Sequence, residues 1–259
     1  MDAGRELDMA REGDILFSII TPTAGNRPRA LRKAVESVER AARFAGLETG
    51  QVEILIGFDG VRGECPASAY AVHGFNLPAD RNGGNGIRAL LTNLAQGDKL
   101  IYLDDDNVLK PLALRLYMKH FDTELIIGRI DTQLTLDAPQ LPRPGGDVVR
   151  PGNVDPLCVC VSRRLVSARC GGWRYRDRLD ADFMNILDWH VNAHSETVVE
   201  DMVGMFDAGR SLDASALSPR QAALLDRLAG ARDYPASLSD AFRCVTGAHL
   251  ALATRATRA

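Results

Sequence analysis

The hydrophobic and polar positions of this chain form short apolar runs that alternate with stretches of helical periodicity. Ile15–Thr21 is an apolar run rich in Ile and Phe and reads as a buried strand. Thr21-Pro22-Thr23-Ala24-Gly25-Asn26 breaks it. Leu31, Ala34, Val35 and Val38 then recur at one-face spacing, predicting a helix over about Arg27–Phe44. Val52–Phe58 is a second strand, closed by Asp59-Gly60, and a shorter one is expected near Ala71–Phe75. Asn82-Gly83-Gly84-Asn85-Gly86 reads as a tight turn into a helix over Ile87–Ala95, closed by Gly97. An apolar run from Leu100 forms the next strand, followed by a helix over Pro111–Phe121 and a strand over Leu125–Ile130.

The Pro- and Gly-rich segment Ala138–Asn153 is a loop, read equally well as a mobile lid or a long structural connection. Leu157–Val161 returns as a strand, Arg164–Ala168 as a short helix, and Asp182–Asn192 as an amphipathic helix. The C-terminal part differs in character. One helix is expected from Ser218-Pro219 to about Leu228, with Pro in its first turn, and another over Leu238–Thr254.

Alternating strands and helices predict a doubly wound α/β sheet in the first half of the chain. Ligands of such sheets collect at the carboxyl ends of the strands. Asn26, Asp59 and Asp104–Asp106 lie there or just beyond, so three segments converge on one crevice. The strand Leu100-Ile101-Tyr102-Leu103 ends in three consecutive carboxylates, Asp104, Asp105 and Asp106. Three like charges at a strand end are stable only against something positive. Hard divalent ions such as Mn²⁺ or Mg²⁺ suit carboxylate oxygens. A metal held that way usually also holds phosphates, which points to a nucleotide-linked substrate.

Composition narrows the setting. The chain has 259 residues, 46% hydrophobic and 25% charged, enough to bury a full core. Its formal charge of -3 argues against nonspecific binding to nucleic acid or anionic membranes. Cys65, Cys158, Cys160, Cys170 and Cys244 include no CxxC pair, so free thiols in a reducing cytosol are expected. Met1–Gly13 lacks the apolar core of a signal peptide, and no run approaches the roughly 18 apolar residues of a membrane span. A soluble, cytoplasmic protein is the expectation.

The ordered pieces resemble the family 2 glycosyltransferases. Ser18-Ile19-Ile20-Thr21-Pro22-Thr23 with Asn26-Arg27-Pro28 is similar to that family's first strand and nucleotide-binding turn. Glu53–Gly60 resembles its second strand with an acidic end. Asn82–Arg88, Ala95–Asp98 and Leu103-Asp104-Asp105-Asp106 resemble the run into its Asp-x-Asp signature. Order and spacing hold over about residues 15–131, with an approximate continuation through Gly171-Gly172-Trp173 to Asp182. Two departures stand out: an extra Ala24-Gly25 in the first turn and no Gln-x-x-Arg-Trp motif. The missing motif argues against a processive, polymer-making synthase.

The resemblance implies a GT-A fold, a Rossmann-like mixed sheet flanked by helices, over residues 15–212. A tail precedes it at 1–14 and a helical extension follows at 213–259. It implies transfer of a sugar, of hexosyltransferase type, from a UDP-, GDP- or dTDP-linked donor to a hydroxyl, with inversion. Asp104 and Asp106 would handle the metal, and Asp104 and Asp105 the nucleotide sugar. Asp59 would read the base. Arg88 would lie near the diphosphate, and Thr21, Pro22, Thr23 and Asn26 would line the nucleoside.

Inversion needs a general base for the acceptor hydroxyl. Asp182 is the first choice, Asp180 the second, and Glu200-Asp201 a third pair; where the family usually carries Glu-Asp, this chain has Ala181-Asp182. Asp182 as a simple helix cap competes with this role. Gly172 and Trp173 would meet the acceptor, with core packing an equal role for the indole. His190 and His194, one helical turn apart, are a weaker metal pair than a pair of ordinary surface or core histidines.

Two other readings remain open on the sequence. A sugar-1-phosphate nucleotidyltransferase would want a Gly-rich basic loop after the first strand, but Thr21–Arg27 holds one Gly. A degenerate GT-A binding module is the non-enzymatic alternative. The C-terminal apolar stripes (Leu224, Leu225, Leu228; Phe242, Val245, Leu250) suit packing on their own domain, cover of the acceptor side, a homodimer interface or docking on a membrane surface.

Overall fold

A computed structural model describes residues 14–80, 82–133, 135 and 139–216. The helices expected over Ser218–Leu228 and Leu238–Thr254 lie outside these residues, as do Met1–Gly13, Cys244 and Ala138.

The chain runs β1 (Phe17–Thr23), α1 (Pro28–Ala45), β2 (Val52–Asp59), β3 (Ala71–Leu77), α2 (Asn85–Leu94), β4 (Lys99–Tyr102) and β5 (Val108–Leu109). It continues through α3 (Ala113–Lys119), β6 (Leu125–Asp131), β7 (Gln140–Leu141), β8 (Val159–Ser162), α4 (Ala181–Asn192) and β9 (Glu196–Met205). Short 3₁₀ turns cover Pro156–Cys158 and Arg210–Ala216, and a π-helical turn covers Arg164–Arg169.

The strands form one mixed sheet in the order β3-β2-β1-β4-β8-β6-β9-β5, with β7 added beside β6. β1, β2, β3 and β4 are parallel, and β8 joins antiparallel to β4 and β6. All seven residues of β1 are buried, as a central strand covered on both faces requires. α2 packs on β1 and β2, and α1 packs on α3 and β5. Register places Thr23 beside Phe58 and Ile20 beside Tyr102, so the ends of β1, β2 and β4 open on one edge.

The first-half elements agree with the sequence pattern to within a few residues. Three strands, β5, β7 and β9, had no signal. β5 is only two residues long. β9 carries Glu200 and Asp201 at its middle and meets β6 across register shifts, so its alternation of apolar and polar positions is broken. Within the loop before β8, β7 pairs with β6, and Asn153 ties the arms together by accepting from Arg143 N at 2.8 Å and donating to Val148 O at 2.9 Å. Cys65, Cys158, Cys160 and Cys170 are free thiols. Among the described residues no helix is long and apolar enough to cross a membrane.

Candidate active site

β4 delivers the aspartate triplet to the open edge, and three arginines from three separate segments meet it. Arg27, in the turn before α1, pairs with Asp105 at 2.8 Å and bonds Asp106 Oδ2. Arg210, in the 3₁₀ turn after β9, reaches the same Asp106 oxygen through Nε at 3.1 Å and Nη2 at 2.7 Å. Arg88, on α2, bonds Asp104 and lies 3.9 Å from Asp182. The positive charge that the triplet demanded is thus built from the chain itself.

The three aspartates differ in exposure. The Asp104 side chain is 32% exposed, whereas Asp105 and Asp106 are buried. Thr23 Oγ1 donates to Asp105 Oδ2 at 2.5 Å, joining the end of β1 to the triplet. Burial works against a charged Asp106, yet Arg27 and Arg210 outweigh it and hold its carboxyl below the usual range. Burial pushes Asp105 up to about 7 against the pull of Arg27, and Asp207 up to about 7 against that of Arg210. Asp207 pairs with Arg210 at 2.8 Å and accepts from the Thr135 hydroxyl.

The centre therefore gathers five carboxylates (Asp104, Asp105, Asp106, Asp182, Asp207) around three guanidiniums. Two unit charges 4 Å apart interact by about 4 kcal/mol at an effective dielectric near 20. A surplus of negative charge in a buried cluster is stable only with protons or a further cation. The donor set, hard carboxylate oxygens with excess charge, fits a divalent ion. Among the described residues no group of three or more His, Cys, Asp or Glu is placed to hold a metal ion. An ion here would take one or two carboxylates and complete its shell from phosphate and water, which is the usual habit of Mg²⁺.

The remaining residues expected at the site divide. Thr21, Pro22 and Thr23 form the buried end of β1, and Asn26 is exposed at its rim. Asp59 closes β2, where its Oδ1 accepts from Asp80 N at 2.6 Å; Asp80 in turn accepts from Gly86 N at 2.7 Å, at the start of α2. Asp59 thus also fixes the turn that carries Arg88. Arg88 itself is buried: it donates to Gly83 O at 2.9 Å, and its guanidinium lies 5.4 Å from the Trp173 ring. It grips the acids from beneath rather than from the solvent side.

Asp182 sits in the first turn of α4, 7% exposed, beside Arg88. It is not the N-cap. Asp180 holds that position without a side-chain cap bond and is gripped by Arg178 at 2.7 and 2.9 Å. Glu200 is on the exposed side of β9 with Arg129. His190 pairs with Glu196 through Nδ1 at 2.5 Å, and the described residues bring no third ligand to it.

The expectation that Trp173 faces an acceptor needs correcting. It is 2% exposed, 4.8 Å centroid to centroid from Tyr102 and 5.7 Å from Trp189, and its indole N–H donates to Asn85 Oδ1 at 3.1 Å. No sugar can reach that face. Gly171 and Gly172, at φ 75° and 89°, turn the chain so that Trp173 enters the core. Gly172, itself buried, belongs to that turn.

Arg27, Asp207 and Arg210 were not picked out from sequence as site residues. Arg27 had a signal, since it follows Asn26 in the first turn. Arg210 had none, because only the return of the chain after β9 brings it to Asp106.

No family model matches the chain, and no curated protein matches it in sequence. Solved structures do. A structure of S. aureus TarS 1-349 superposes with a TM-score of 0.58 at 13% identity, covering 88% of this chain and 72% of that one. The same protein in complex with UDP-GlcNAc gives 0.56 at 12% identity, with 88% and 73% covered. A longer TarS chain gives 0.54 at 12% identity, with 43% of it covered. The fold is GT-A. At such identities the likeness is one of architecture, and the chemistry rests on the residues above.

Proposed function

We propose that the protein is a glycosyltransferase that moves a sugar from a nucleoside-diphosphate donor to an acceptor hydroxyl. One observation carries the reading: a single buried arginine, Arg88, bonds Asp104, from the end of β4, and lies 3.9 Å from Asp182, from the start of α4. This pairing supports a reading in which an acid suited to phosphate-side chemistry and an acid suited to proton removal work beside one guanidinium at the carboxyl ends of the strands. The GT-A neighbours include TarS structures in complex with UDP and with UDP-GlcNAc, which favours a uridine donor within the panel to be tested.

In the proposed reaction Asp182 accepts the proton of the acceptor hydroxyl as its oxygen attacks the anomeric carbon. The bond from that carbon to the diphosphate breaks, and the nucleoside diphosphate leaves with the electron pair. One displacement inverts the anomeric centre. Asp104 and Asp106 would hold Mn²⁺ or Mg²⁺, which when bound supplies Lewis-acid neutralisation of the leaving diphosphate. Arg27 and Arg210 hold Asp106 ionised, and Arg88 fixes the spacing of Asp104 and Asp182. The absence of a Gln-x-x-Arg-Trp motif fits a single, non-processive transfer.

The test is nucleoside-diphosphate release from UDP-, GDP- and dTDP-sugars with Mn²⁺, for the wild type and Asp182→Asn. Release from one donor class, reduced about 100-fold or more in the variant, is expected for loss of a general base. Equal release by both proteins would remove Asp182 from the mechanism. No release from any donor, together with no nucleotide binding, would overturn the assignment.

A further inference from the structure

Residues 206–213 form a strap that crosses beside the aspartate triplet and is fastened at several separate points. Asp207 N–H donates to Asn107 Oδ1 at 2.8 Å, Gly209 N–H to Asp106 O at 2.7 Å, and Lys33 Nζ to Ala208 O at 2.5 Å. Asp213 accepts from Arg29 N at 3.3 Å and Ala30 N at 2.8 Å. These are orphan N–H groups of the first turn of α1, which has no side-chain cap of its own. Asp207 stands at φ 55°, a left-handed conformation that Asp tolerates better than most residues. At Gly209 an added Cβ would lie 3.0 Å from Ala30 Cβ and 3.3 Å from Asp106 O.

This fastening serves one exposed consequence. The strap brings Arg210, 8% exposed, to Asp106 Oδ2 with two N–H bonds, while Asp207 pairs with the same Nη2 at 2.8 Å. Arg27 takes the same oxygen from the α1 side. A carboxylate oxygen held by two guanidiniums cannot turn, so the direction of the other oxygen is fixed as well.

We propose that Arg210 is a positioning residue that aims Asp106 at the metal and donor diphosphate, and that the 206–213 strap exists to hold it there. The inference rests on the transferase reading above. Partners that orient a metal-binding carboxylate typically affect metal affinity by about 10–100-fold when removed.

The experiment titrates Mn²⁺, followed by electron paramagnetic resonance of the free ion, into full-length protein with UDP, GDP or dTDP. Wild type, Arg210→Gln, Arg210→Lys and Asp213→Ala are compared, with thermal midpoints measured alongside. Arg210→Gln is expected to weaken nucleotide-dependent Mn²⁺ binding about tenfold or more. Arg210→Lys, which keeps one charged donor, is expected to recover part of that loss. Asp213→Ala unties the strap from α1 but leaves Arg210 itself in place, and is expected to lower the midpoint and to weaken Mn²⁺ binding less than Arg210→Gln does. Unchanged or tighter Mn²⁺ binding in Arg210→Gln would overturn the inference, as would a greater loss in Asp213→Ala than in Arg210→Gln. Wild type that binds a nucleotide equally well without Mn²⁺ would overturn it too and leave the transferase reading standing. No nucleotide binding at all would remove both. Should Arg210→Gln fail to fold, the comparison of Arg210→Lys with wild type decides by the same criterion.

Discussion

Replacing Arg88 with Met tests the electrostatic centre most severely. Met keeps the aliphatic stem against Trp173 but removes the guanidinium that serves Asp104, Asp182 and Gly83 O. Breaking a buried ion pair by deleting one side costs about 3–5 kcal/mol, since the other charge stays behind. The lower end applies here: the Asp104 side chain is 32% exposed and water offsets part of its loss, while that of Asp182 is only 10% exposed. The unpaired Gly83 carbonyl adds about 1 kcal/mol if it finds no water. A deficit near 3 kcal/mol is expected in urea denaturation at pH 8. Burial already raises the Asp104 carboxyl against the pull of Arg88, and loss of the guanidinium raises it further, so the variant gains more stability than the wild type as pH falls. The deficit at pH 5 should therefore be clearly smaller. A loss below about 1 kcal/mol, or one equal at both pH values, would refute the claim that Arg88 is the shared counter-charge of Asp104 and Asp182.

Other outcomes follow from the same geometry. Burial raises Asp105 and Asp207 from an ordinary 3.8 to about 7, so between those values the folded state holds protons that the unfolded state lacks. Wild-type stability should therefore fall as pH rises through that window, and Asp105→Asn should flatten part of the slope in chemical denaturation at stepped pH. Asp180→Asn, which weakens the pair with Arg178, should reduce sugar transfer far less than Asp182→Asn; the reverse ranking would make Asp180 the base. Gly209→Ala should cost about 1–3 kcal/mol in unfolding free energy through overpacking against Ala30 and Asp106 O, and a neutral result would show a strap that yields.

Much of this molecule was legible in sequence for a physical reason. Buried parallel strands such as β1 and β2 are largely apolar runs, and α1, after β1, carries its apolar face at helical spacing. The triplet at Asp104–Asp106 announced a need for positive charge because like charges cannot share a strand end unaided. What supplied the charge was only partly readable. Arg27 and Arg88 lie in turns and helices that the pattern had already placed, whereas Arg210 arrives by a fold-level return that no local signal encodes. β9 was hidden because its acidic middle breaks the alternation. Trp173 misled in a different way. An aromatic after two glycines is equally compatible with a surface platform and a buried wedge, and only packing against Tyr102 and Trp189 decides between them.

The central claim, a nucleoside-diphosphate site built on the triplet, is tested most directly by calorimetric titration of UDP, GDP and dTDP. Each is measured with and without Mn²⁺, on wild type and Asp106→Ala. The account predicts Mn²⁺-dependent binding of one nucleotide that disappears in the variant. Binding of none of them under either condition would contradict it and leave the aspartates and their arginines as a structural cluster.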